Sequence, residues 1–147
     1  MVCLGNICRS PLAEGILKEF IIKENLNWTV DSAGTGAWHV GNPPDKRSIE
    51  VAKKHGIDIS NQRARKIRAS DFEEFDIIFA MDISNYNDLQ RFAIDEEERQ
   101  KIRLILNESN PNKNHSVPDP YWDDNGFENV YEMLNRACKS FIEKHIN

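Results

Sequence analysis

Residues 3–10 read Cys3-Leu4-Gly5-Asn6-Ile7-Cys8-Arg9-Ser10, and Pro11 follows at once. The pattern is Cys-x5-Arg-Ser: a turn that leads straight into a helix. Gly5 and Asn6 tolerate positive φ, so the backbone can curl and aim its N–H groups inward. Inward N–H groups form a nest for an anion. Arg9 adds a planar fork of donors that matches phosphate oxygens two at a time. Ser10 suits an N-cap and Pro11 the first helical position. The positive end of that helix then serves the same anion site. Free thiols are mostly protonated at neutral pH, whereas a helix N-terminus and a nearby Arg favour the thiolate. The stretch therefore suits attack of Cys3 sulfur on a phosphate monoester. One cradle would hold both the sulfur anion and the transferring phosphoryl group.

The rest of the chain alternates strand and helix patterns around this loop. Pro11 to about Asn25 places Leu12, Ile16, Leu17, Phe20 and Ile21 at helical spacing. Trp28 to Asp31 reads as a short strand. Asp45 caps a helix that runs to His55 and stops at Gly56. Asp76 to Ala80 is a compact apolar strand. Helices are expected from Ser84 to about Phe92 and from Asp95 to Lys101, then a last strand from Ile102 to Leu106. Phe127 to about Lys144 is a closing helix with Val130, Leu134, Ala137, Phe141 and Ile142 inward. The expectation is one α/β domain over residues 1–147. It has a short, four-stranded parallel sheet with helices on both faces, and its phosphate-binding loop follows the first strand. In such folds ligands bind beyond the carboxyl ends of the strands. The Cys3 loop, the Ser32–Val40 loop and the Pro118–Asp124 loop all fall at that end.

Composition narrows the function. The 147 residues carry a formal net charge of −5, which argues against a nucleic-acid partner. The basic run Arg63, Arg65, Lys66 and Arg68 reads as a solvated strand-and-loop face. No apolar run reaches membrane-span length and no signal-peptide pattern opens the sequence. Three cysteines without framework spacing point to a reducing, cytoplasmic setting. Cys and His spacing gives no zinc pattern, so neither metal nor cofactor is expected. His39, His55, His115 and His145 show no catalytic spacing. Cys138 falls on the inner face of the last helix.

The segment Val2 to Pro11 closely resembles the active-site loop of the low-molecular-weight protein tyrosine phosphatases. The resemblance continues in Asp31-Ser32-Ala33-Gly34-Thr35, in Trp38-His39-Val40-Gly41 with Pro43-Pro44, in Met81-Asp82 and in Asp119-Pro120-Tyr121. It implies a phosphatase acting on phosphotyrosine proteins or small aryl phosphates, a monomer or weak dimer. Cys3 would be the nucleophile, with Arg9 and the loop residues Leu4, Gly5, Asn6, Ile7, Cys8 and Ser10 binding phosphate. Asp119 would be the general acid; the flanking Pro118 and Pro120 stiffen its loop. Trp38, Tyr121 and Trp122 would wall a slot for the substrate ring; the alternative, ordinary loop packing, suits Trp122 better than it suits Trp38 or Tyr121. Asn6, Ser10 and Ser32 resemble the family's loop-supporting hydroxyl and amide groups. Asp82 resembles a residue that buttresses the loop, and reads nearly as well as a strand-end cap. Cys8 resembles a redox partner for Cys3, and reads equally as a small loop residue. Gln62 falls where relatives often carry a histidine. An apolar strand of several residues precedes the loop in that family, whereas here only Met1 and Val2 do, so either the start lies upstream, which is the expectation, or the central strand is unusually short.

Three rival functions share parts of this pattern. A thiol-dependent arsenate reductase needs two further relay cysteines, and none lies between Cys8 and Cys138. A protein-arginine phosphatase resembles this chain but has Thr where Ile7 stands. A non-catalytic phosphate-binding module could dispense with Cys3 or Asp119, and both are present.

Overall fold

The computed structural model describes residues 1–146. Four short strands form one parallel sheet: β1 (Val2–Cys3), β2 (Ala33–Gly34), β3 (Ile78–Ala80) and β4 (Ile102–Leu104), in the order β2-β1-β3-β4. Six helices accompany it: α1 (Arg9–Lys23), α2 (Lys46–Lys54), α3 (Asp71–Glu74), α4 (Ile83–Phe92), α5 (Glu96–Gln100) and α6 (Gly126–His145). Successive strand residues point to opposite faces. Cys3, Phe79 and Met81 join the core under α1, α2 and α6. Val2, Ile78, Ala80, Ile102 and Leu104 join a second core with Phe72 of α3 and Leu89 of α4. The helices thus cover both faces, as an all-parallel sheet requires.

The chain runs from β1 to β2 on one side and then returns to β3 on the other. The carboxyl end of β1 is therefore the switch point where such sheets bind ligands, and the loop of residues 4–8 sits there. Gly34, paired with Cys3, lets this loop lie close: a Cβ on Gly34 would sit 2.8 Å from the Leu4 carbonyl oxygen.

Several expectations change. Residues 28–31 form no strand; pairing with β1 begins at Ala33, after Ser32 has turned its side chain into the interior. The last strand ends at Leu104, and Ile105–Asn107 continue as a 3-10 turn. Ser10 is not an N-cap, because the helix already begins at Arg9, behind Cys8. Of the two turn residues only Asn6 has positive φ, at 58°. Arg65 is not a solvated surface cation: it is partly buried and bridges Asp31 and Asp71. Among the described residues no helix is long and apolar enough to cross a membrane.

Candidate active site

Helix α1 begins without a side-chain cap and with no acidic residue in its first turn. Its orphan N–H groups and positive end face a cleft of about 290 Å³. Cys3, Leu4, Gly5, Ile7, Cys8 and Arg9 line the floor; Trp38, His39, Asp119, Tyr121 and Trp122 line the walls. Loops after β1, near β2 and before α6 are thus brought together, as their positions in sequence suggested.

Cys3 is 3% exposed at the base of the cleft. The Asn6 amide N–H donates to its Sγ at 3.3 Å, and Ser10 Oγ lies 2.9 Å from it. Arg9 is equally buried. Its Nη1 donates to Asp82 Oδ2 at 2.7 Å and to the Val117 carbonyl at 2.9 Å. That arm is committed to the scaffold, and Nη2 lies 3.9 Å from Asp119 Oδ2. Asp82 also accepts from the Asn85 amide at 2.7 Å. It is therefore both the buttress of Arg9 and the N-cap of α4, the two readings left open by the sequence.

Asn6 and Ser10 do not line the cleft with their side chains; they support the loop from behind. Asn6 Nδ2 donates to Ser10 Oγ at 2.8 Å and to Ser32 Oγ at 3.0 Å. The Arg65 amide donates to Asn6 Oδ1 at 3.0 Å, which fixes the orientation of the Asn6 amide. Ser32 Oγ in turn donates to Glu14 Oε1 at 2.7 Å. Glu14 is buried, and burial pushes its pKa up, opposed by the Ser32 bond and by Lys18. A carboxylate can only accept, so while Glu14 is ionised every proton in the chain has one direction. Ser32 gives its proton to Glu14, Asn6 gives both of its amide protons to hydroxyls, and Ser10 keeps its own for Cys3.

Cys8 and Cys138 are buried free thiols. Burial, with the nearby Asp45 carboxylate, pushes the Cys8 pKa up. Burial raises that of Cys138 to about 12, in keeping with its place in the core. Gln62 stays out of the loop-supporting chain: its Nε2 donates to the Pro11 carbonyl at 3.0 Å. Trp122 is 89% exposed at the cleft mouth, edge-on to Tyr121, so ordinary loop packing does not describe it. Trp38 is also largely exposed, its ring folded over Gly36.

Three participants escaped the sequence reading. His39 lines the cleft beside Gly5; its signal was adjacency to Trp38. Glu14 carried one too, a carboxylate one helical turn after Ser10 on an otherwise apolar face. Arg47, whose fork reaches the loop of Asp119, gave none toward that loop, because Tyr121 and Asp124 are distant in sequence. Among the described residues no group of three or more His, Cys, Asp or Glu could hold a metal ion.

Comparison with known proteins agrees with this geometry. A rat low molecular weight phosphotyrosine protein phosphatase is 46% identical over 146 residues, covering 97% of this chain and 92% of its own. The crystal structure of a protein tyrosine phosphatase from Entamoeba histolytica, with Hepes in its active site, superposes with a TM-score of 0.90. It is 40% identical, over 97% of this chain and 92% of that one. A Drosophila arginine phosphatase superposes with a TM-score of 0.92 at 38% identity, over 99% and 96% of the two chains. The family model for low molecular weight phosphotyrosine protein phosphatase matches residues 1–147, and the chain belongs to that family.

Proposed function

We propose that the chain hydrolyses aryl phosphate monoesters, phosphotyrosine above all, in two steps. Cys3 Sγ attacks phosphorus, the bond from phosphorus to the aryl oxygen breaks, and its electron pair leaves with that oxygen. Asp119 gives the leaving oxygen its proton. Water then attacks the phosphocysteine, Asp119 takes the water proton, and the sulfur–phosphorus pair returns to Cys3. While Glu14 is ionised, Ser10 keeps a proton for that departing sulfur. The free Arg9 arm and the α1 N-terminus bind phosphoryl oxygens in both steps. The chemistry calls for a thiolate, and so for a reducing, cytoplasmic setting. The observation that carries this reading is convergence: Cys3, Arg9 and Asp119, from segments more than a hundred residues apart, line one cleft.

Ile7 and the aromatic walls favour a ring over a guanidinium group. The likeness to the Drosophila arginine phosphatase supports a second reading, phosphoarginine. Rates on phosphotyrosine, phosphoserine and phosphoarginine peptides test both. Phosphotyrosine should be preferred by at least about tenfold, the scale of one differential apolar contact. Ile7→Thr should raise relative activity on phosphoarginine. Equal rates on all three peptides would sink the phosphotyrosine reading.

A further inference from the structure

Arg47 lies outside the cleft lining, yet it joins the two loops that must act together. Its Nε and Nη2 grip Asp45 Oδ1 and Oδ2, both at 2.9 Å. Nη2 also donates to the Tyr121 carbonyl at 3.0 Å, and Nη1 to Asp124 at 2.5 Å. The guanidinium carbon sits 4.7 Å from the Phe127 ring centroid and 5.7 Å from that of Tyr121. Asp45 is held in turn: its amide donates to the Ile7 carbonyl at 2.8 Å. On the other side the Tyr121 amide donates to Asp119 Oδ1 at 3.1 Å. The connection therefore runs from the phosphate-binding loop at Ile7 through Asp45, Arg47 and Tyr121 to Asp119.

We infer that Arg47 is a positioning residue that sets Asp119 against the phosphate-binding loop. The assignment rests on the acid role of Asp119 proposed above. Two features of the contacts decide where its effect lies. Asp124 is 83% exposed, so that ion pair contributes little. The fork on Asp45 and the bond to the Tyr121 carbonyl carry the function, and only a planar guanidinium makes both at once. Lysine retains the charge but presents a single nitrogen. Arg47 touches none of Cys3, Arg9 or Asp119 directly, so its loss leaves phosphate binding to the α1 N-terminus and Arg9.

The test measures kcat/KM, which reports transfer to Cys3, for phenyl phosphate and 4-nitrophenyl phosphate. The first has a poor leaving group that needs a proton; the second needs one little. Arg47→Ala should lose about tenfold to a hundredfold on phenyl phosphate, as expected when a catalytic group shifts by about 1 Å. It should lose only a few-fold on 4-nitrophenyl phosphate and keep the inhibition constant for inorganic phosphate. Arg47→Lys should show the same split in weaker form, and serves if the alanine variant fails to fold. Equal losses on both esters, or none on either, would overturn the inference. Amide hydrogen exchange, read without substrate, keeps it separate from the proposed function. Exchange should rise in residues 119–125 of the variant and stay unchanged in residues 4–8. Unchanged exchange in 119–125 overturns the positioning role, whereas inactive wild-type protein overturns the phosphatase reading.

Discussion

Removing the Asp82 carboxylate tests how much of the site depends on one buried ion pair. Arg9 is 3% exposed and Asp82 21%, with 2.7 Å between Nη1 and Oδ2. Taking away one partner of a buried pair costs about 3–5 kcal/mol. Here the cost falls to the bottom of that range or just below it, about 2–3 kcal/mol, because Asp82 reaches solvent and Val117 still accepts from the same Nη1. Asp82→Ala also removes the cap on the Asn85 amide, worth about 1 kcal/mol, for a total of about 3–4 kcal/mol. Asp82→Asn keeps an oxygen for the cap but offers Arg9 no charge, so it should lose about 2–3 kcal/mol. Urea unfolding at neutral pH measures both values. In each variant the guanidinium keeps only the Val117 anchor, and kcat/KM should fall more than about tenfold, the equivalent of 1.4 kcal/mol. An Asn variant within about 0.5 kcal/mol of wild type, with undiminished kcat/KM, would refute the reasoning. It would mean that Val117 and the helix end hold Arg9 without help.

Other perturbations reach different parts of the structure. Burial opposes ionisation of Asp71, but two bonds from Arg65 and one from the Arg68 amide outweigh it and hold its pKa below the ordinary 3.8. A depressed carboxylate stabilises the fold above its unfolded pKa, and that contribution is lost as pH falls from about 4 through the folded value. Stability measured against pH should therefore drop below about pH 4, and Asp71→Asn should be less stable at neutral pH with a flatter acid limb; an unchanged limb would contradict the assignment. Glu14 runs the other way, since its folded pKa is raised: its ionised form weakens the fold, and stability should rise as pH falls through that raised value. Glu14→Ala should remove that rise and also slow phosphocysteine hydrolysis, because Ser32 and Ser10 can then reverse their donors; equal rates of that step in variant and wild type would show that proton direction in the chain is irrelevant.

The legible parts of the chain were those where chemistry and spacing are local. The loop from Cys3 to Ser10 declares itself because its thiol, its guanidinium fork and its helix start lie within eight residues. Helix α2 begins behind Asp45, the side-chain cap as read; α4 and α5, expected from Ser84 and from Asp95, begin behind the side-chain caps Asp82 and Asp95. Residues 28–31 misled because Trp28, Thr29 and Val30 favour strands, yet sheet pairing depends on a neighbour. That neighbour, β1, reaches only Ala33 and Gly34. Ser10 misled because Ser-Pro is a common helix start, whereas here the hydroxyl is drawn to Cys3 and Asn6. Arg65 looked solvated in a basic run because its partners Asp31 and Asp71 become neighbours only in the folded chain. Arg47 belongs to the same class: its reach to Tyr121 and Asp124 crosses more than seventy residues that no local pattern spans.

If phosphoryl transfer passes through Cys3, the enzyme must carry phosphate on that sulfur between the two steps. The most direct measurement mixes Asp119→Ala with 4-nitrophenyl phosphate, quenches rapidly, and maps the phosphate by mass spectrometry. The good leaving group lets the first step proceed without an acid, while the missing carboxylate slows the second. Phosphate should appear on Cys3 at a stoichiometry approaching one per chain, matching a burst of 4-nitrophenolate, and there should be none in Cys3→Ser. A burst with phosphate on any other residue, or undiminished turnover in Cys3→Ser, would contradict it.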